Sequence, residues 1–183
     1  WQRARYTDGR PAAGVLATNG LWWRYTTNSS NMNRARAAAI ARLLLCEDFL
    51  ARPVSFDASG VTDPMTAVRT EPACLACHAA IDPLAASLFG FWWLQMFSVV
   101  EETTYHPERE LLAEDLMGVS PAWFGTPIDG LPDLGAAVAA DIRFYTCAVE
   151  TFAEALWDRD VELVDAATIE TLRVDFLEGG ARV

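Results

Sequence analysis

The sequence predicts a mainly α-helical fold with long ordered loops. Apolar residues recur at helical spacing over 33–49 and again over 142–156, and Asn, Asp, Pro and Gly stand where such helices start and stop. The composition agrees: an apolar share of 52% with 11% aromatic residues, in a chain of 183, describes a globular protein with room for a real core.

Taken in order, residues 1–31 read as irregular or extended. Arg10-Pro11, Gly14, Asn19-Gly20 and Asn28-Ser29-Ser30-Asn31 punctuate short apolar pieces there. A helix is expected from Asn33 to Phe49, with Ala37, Ile40, Ala41, Leu44 and Leu45 on one face and Arg34 and Arg42 away from it. Asn31 or Asn33 is its natural cap, and Arg52-Pro53 ends it. Residues 53–70, rich in Pro, Asp, Ser, Gly and Thr, read as a linker. Pro72 opens the next helix, which Asp82-Pro83 is expected to break or restart. The apolar run Leu84 to Val100 is short for a spanning helix and reads as core rather than as a membrane or partner face. A short helix over Glu110–Met117 stops at Gly118, Thr126–Gly130 is a turn, and a helix runs from Pro132 to Ala140. Asp141 caps a longer helix that carries Ile142, Tyr145, Val149, Phe152 and Leu156 at one spacing. Asp165 caps the last helix, which ends at Gly179-Gly180.

The most specific chemistry lies in Cys74-Leu75-Ala76-Cys77-His78. Two cysteines three apart with a histidine directly after form the spacing by which c-type haem is attached. Residues i and i+3 share a helix face, so both thiols reach the two vinyl groups along one side of a porphyrin. The next residue then turns its imidazole toward the iron. Two alternatives use the same residues. Zinc wants four ligands, and the remaining candidates Cys46, Cys147 and His106 are isolated in sequence. A redox disulfide between Cys74 and Cys77 lacks the strand-then-helix context of thiol oxidoreductases.

A net charge of −11 argues against nucleic acid and points to basic or neutral partners. Every basic residue is arginine, and seven tryptophans exceed what a core of this size needs, which points to a flat cofactor or a covered surface. Haem c is attached outside the cytoplasm, so the motif implies a periplasmic or otherwise extracytoplasmic chain. There Cys46 and Cys147 can be oxidised, and a disulfide joining the N- and C-terminal parts is expected, against the alternative of two buried thiols. The chain opens at Trp1 in mid-pattern, as a processed protein or a piece of a larger one would.

The order of these features resembles a known family. Asn33-Arg34-Ala35-Arg36 opens a helix, and Glu71-Pro72-Ala73-Cys74 through Asp82-Pro83-Leu84 carries the motif. Gly125-Thr126-Pro127-Ile128-Asp129-Gly130-Leu131 follows, then Arg143-Phe144 and Cys147 on a later helix. This resembles the planctomycete- and myxobacterial-type cytochrome c domains, with their small helical companion domain, from about residue 12 to about residue 157. Family members often carry Met three residues after the histidine, where this chain has Ile81. The resemblance implies a cytochrome-c-like haem domain over 1–118, a helical segment over 119–183 packed on it, one covalent haem c, and membership of a larger exported protein.

In that reading Cys74, Cys77 and His78 bind the haem, and the sixth iron ligand decides the chemistry. The candidates are Met32, Met65, Met96, Met117 and His106. Met32 is preferred, because it stands in a polar stretch where a core methionine is least needed and abuts Arg34 and Arg36. Those two arginines suit haem propionates, with solvated surface charge as the plainer reading. Trp22, Trp23, Trp92 and Trp93 are candidates to wall the haem, or simply core. Glu101, Glu102, Glu108, Glu110, Glu114 and Asp115 read as a solvated face, without calcium-loop spacing. The leading expectation is a monohaem c-type cytochrome transferring electrons to protein redox partners within a larger extracytoplasmic or membrane-associated complex. The alternatives are a haem peroxidase or oxidase module with an open sixth position, and a structural docking subunit.

Overall fold

In a computed structural model the described residues are 5–53, 63–92 and 103–180, and the side chain of Met65 lies outside the description. Those residues form eight α-helices, several 3-10 turns and one two-stranded ribbon, so the fold is mainly helical. The helices are α1 (Asn19–Arg24), α2 (Arg34–Leu45), α3 (Pro64–Thr70) and α4 (Pro72–Ala86), then α5 (Leu112–Met117), α6 (Gly130–Ala140), α7 (Ile142–Trp157) and α8 (Ala166–Glu178). Strands β1 (Ala122–Trp123) and β2 (Thr126–Pro127) pair antiparallel, Trp123 opposite Thr126, across a turn at Phe124-Gly125. No described helix is long and apolar enough to cross a membrane.

Helix α2 is the axis. Its alanines Ala37 and Ala41 are fully buried with Ile40, which lets α4 pack on one side and α7 on the other. Around it the core gathers Trp22 stacked on Phe91 at 4.2 Å, Phe89 stacked on Trp92 at 5.1 Å, and Leu16, Leu84, Leu88 and Met117. Trp123, Leu131, Leu134 and Val138 belong to this same core, so it draws on residues from both sides of position 118. A second, small cluster of Val149, Ala153 and Ile169 joins α7 to α8.

The start of α2 uses both expected asparagines. Asn33 holds the cap position in left-handed backbone, and the Asn31 side chain accepts from the Ala35 amide at 3.0 Å. The helix stops at Leu45, short of Phe49, because Cys46 turns left-handed (φ 53°) to meet Cys147. Gly118 ends α5 in the same conformation (φ 63°), and Asp141 accepts from the Arg143 amide at 3.0 Å to cap α7, both as the sequence indicates.

Several expectations need correction. The irregular stretch 1–31 contains α1, whose Trp22 is buried against Phe91. The linker 53–70 contains α3; residues 54–62 lie outside the described ones. Asp82-Pro83 does not break α4, which runs through Pro83 to Ala86. Pro83 still has no N–H to give the preceding turn, but the Asp82 carboxylate is anchored from outside the helix and holds the chain in register. On α7 the expected apolar face is mostly open to solvent: Ile142, Phe152 and Leu156 are exposed, while Cys147, Val149 and Ala153 are buried. The bond at Cys147 and the packing of α8 rotate the helix away from its own hydropathy stripe.

Candidate functional site

Cys74, Cys77 and His78 sit in the first two turns of α4, which starts with Pro72 at its first position and draws the Glu71 carbonyl into its opening bonds. Both thiols are free and half-buried. Cys77 packs against the main core with its sulfur 3.8 Å from the Phe49 carbonyl. Arg52 donates to the Ala76 carbonyl at 2.9 Å between the two cysteines, pairs with Glu47, and lies over the Phe49 ring at 4.6 Å. These contacts tie the 3-10 turn Phe49–Ala51 to the motif.

One helical turn beyond His78 comes Asp82, whose side chain is buried. Its Oδ1 lies 2.7 Å from His78 Nδ1 and 2.7 Å from Arg34 Nε, and its Oδ2 accepts from Arg34 Nη2 at 2.9 Å. A carboxylate gripped by a guanidinium is acceptor-only, so in the neutral imidazole of His78 the proton sits on Nδ1 and Nε2 carries the lone pair. Burial pushes the Asp82 carboxyl up, but the hydrogen bonds from Arg34 and His78 outweigh it and hold the group below the ordinary aspartate range. His78 lines a cleft of about 320 Å³ between α2 and α4, whose walls include Tyr25, Ala35, Ala38, Arg42 and Leu50.

The expected site residues separate here. Cys74, Cys77 and His78 share one helix segment. Arg34 reaches His78 by way of Asp82 and is not a solvated surface charge. Arg36 is drawn into the interior: its guanidinium donates to the carbonyls of Tyr25 (2.7 Å) and Phe91 (2.8 Å) and to Asn33 Oδ1 (3.0 Å), 5.0 Å from the Trp22 ring. It closes the turn between α1 and α2 and binds the Phe89–Phe91 turn. Met32 is half-buried in left-handed backbone (φ 48°) beside the cleft residue Asn31. Met117 is fully buried in the core, its carbonyl taken by Arg69. His106 bonds to Glu108 at 3.2 Å and, through its amide, to the Gly90 carbonyl. Met96 and Trp93 lie outside the described residues. Trp22 and Trp92 are core, while Trp23 is exposed.

The chain matches no family model, and comparison with curated proteins and with solved structures finds no match. The likeness to cytochrome c domains therefore rests on the order of motifs alone.

Among the described residues no three His, Cys, Asp or Glu side chains converge as a zinc site requires, Cys74, Cys77 and His78 included. Covalent haem asks for something different: two reduced thiols on one helix turn, and an imidazole whose second nitrogen is already engaged. Both are present. Sequence reasoning gave Asp82 no partner: it figured there as the residue before a proline and as part of the family-like segment. The i, i+4 spacing from His78 was the available signal. Arg42 is exposed and off the apolar face of α2, as expected, and it also stands at the cleft rim.

Proposed function

We propose that this protein is a monohaem c-type cytochrome that carries electrons, with haem c attached through Cys74 and Cys77 and His78 as the protein's axial ligand. The observation that carries the reading is the His78–Asp82 bond beside two free thiols, in a chain whose other two cysteines are joined. A bound haem would supply one-electron chemistry; the protein supplies attachment, orientation of the imidazole and a partly enclosed cleft. The Cys46–Cys147 disulfide supports placement in an oxidising compartment, outside the cytoplasm. The net charge of −11 and the apolar residues left open on α7 and α8 suit protein redox partners within a larger assembly.

The deciding experiment is the visible spectrum of the protein expressed with a haem-attachment system, together with the pyridine haemochrome and intact mass. A c-type haemochrome with one haem added to the mass is expected, and C74S/C77S removes it. A colourless protein of unmodified mass refutes the reading. A second reading, a haem enzyme with an open sixth position, is favoured by one observation. Among the described residues lining the cleft beside His78 there is no methionine. A low-spin spectrum that ignores added cyanide or carbon monoxide supports the carrier. A high-spin spectrum that responds to them supports the enzyme.

A further inference from the structure

We infer that Asp82, clamped by Arg34, is a positioning residue for His78 that fixes which ring nitrogen faces the iron and lowers the reduction potential of the site. The inference rests on the haem reading above and adds to it a residue that the attachment motif does not contain.

Three features carry it. The first is geometry. Asp82 follows His78 by one turn of α4, so its carboxylate lies on the same helix face, and the Nδ1–Oδ1 distance of 2.7 Å is that of a charge-assisted bond. The second is rigidity. Arg34 takes both carboxylate oxygens in a fork from a different helix, and the Asp82 side chain is only 3% exposed, so the acceptor has no freedom to follow a rotating imidazole. The third is chemistry. An imidazole that donates Nδ1–H to an anion is a more basic donor at Nε2 than one bonded to a neutral carbonyl, and such outer partners commonly change a metal site's affinity 10- to 100-fold. A more basic, more anionic donor favours the oxidised, more highly charged iron. The oxidised and reduced forms differ by one electron, with no proton exchanged at Nδ1. Arg34 offsets part of this charge while holding the carboxylate in place.

The test compares the haem-loaded wild-type protein with Asp82→Asn, which keeps the shape and loses the charge. A tenfold loss of the preference for oxidised iron is expected, which raises the midpoint potential by about 59 mV, with the haem still attached by mass. An unchanged potential in a folded, haem-bearing variant overturns the inference and leaves the cytochrome reading standing. A wild-type chain that takes up no haem overturns both. A readout on the wild-type protein alone covers the case in which the variant does not fold: in the reduced form, saturated with carbon monoxide where the sixth position is open so that the iron is diamagnetic, the His78 Nδ1 proton should resonate far downfield and exchange slowly with water. Rapid exchange of that proton would show that the imidazole is not held by Asp82 and would overturn the inference.

Discussion

Removing the Cys46–Cys147 disulfide is the sharpest perturbation of the fold. The bond joins the end of α2 to the middle of α7 across 101 residues, with Cα atoms 5.2 Å apart. If its main action is to restrict the unfolded chain, a loop of this length contributes roughly 4.7 kcal/mol, and measured values for native bonds run from about 2 to about 5. For a chain of this size that corresponds to a fall in Tm on the order of 10 °C. The assay is urea unfolding followed by circular dichroism, on oxidised protein, on protein reduced under native conditions, and on C46S/C147S. Thiol titration in denaturant fixes the starting state. Of the four cysteines, the haem-loaded protein should show none before reduction and two after, since thioethers resist the reductant. A loss of stability below about 1 kcal/mol with the bond demonstrably broken would refute the loop-entropy reasoning. It would mean that α2 and α7 hold together by packing alone.

Three other outcomes are expected. Arg36→Met preserves bulk but leaves the Tyr25 and Phe91 carbonyls without their donor, and should cost more than about 2 kcal/mol in urea unfolding; a near-neutral result would show that water replaces the guanidinium. Gly90→Ala drives a methyl into Cε2 of buried Tyr105, and should cost about 1–3 kcal/mol by thermal melting, with Gly90→Ala/Tyr105→Leu recovering part of it. Asp8, Asp82 and Asp141 all sit below the ordinary aspartate value of 3.8. Arg10 and Arg143 are the chief causes for Asp8 and Asp141. For Asp82 burial opposes the shift, and Arg34 and His78 overcome it. Folded values below unfolded ones give stability that is complete above the unfolded value and is lost as pH falls through the folded ones, so unfolding should become easier below about pH 4. Stability that stays flat under acid, or an Asp141→Asn variant with the wild-type acid profile, would contradict this.

Much of the scaffold was legible because its signals are local. Asn31 and Asn33 at α2, Gly118 after α5 and Asp141 before α7 act on backbone groups within four residues, and each does what its residue type suits it to do. What the sequence hid depends on distant partners. Nothing near Arg36 says that three segments will converge on its guanidinium. Nothing near Pro83 says that Arg34, 48 positions away from Asp82, will hold the helix together across it. The stripe on α7 misled for the same reason, since a bond and a neighbouring helix decided which side faced inward. At the site the three motif residues were plain, and the missing one, Asp82, stood four residues on.

The connectivity also sets a problem of timing. Any two of the four cysteines could form a bond, and the single one found leaves Cys74 and Cys77 free inside the loop that Cys46 and Cys147 close. In an unfolded chain the near pair closes far more cheaply than the distant one, because the entropy of closure grows with the length of the loop. An oxidant acting early would therefore join Cys74 to Cys77 first, which on the haem reading removes the attachment thiols. The distant bond gains the advantage only after α2 and α7 have docked. If haem c is attached as proposed, maturation has to shield or use up the near thiols first, and the order of two covalent events then matters as much as their presence.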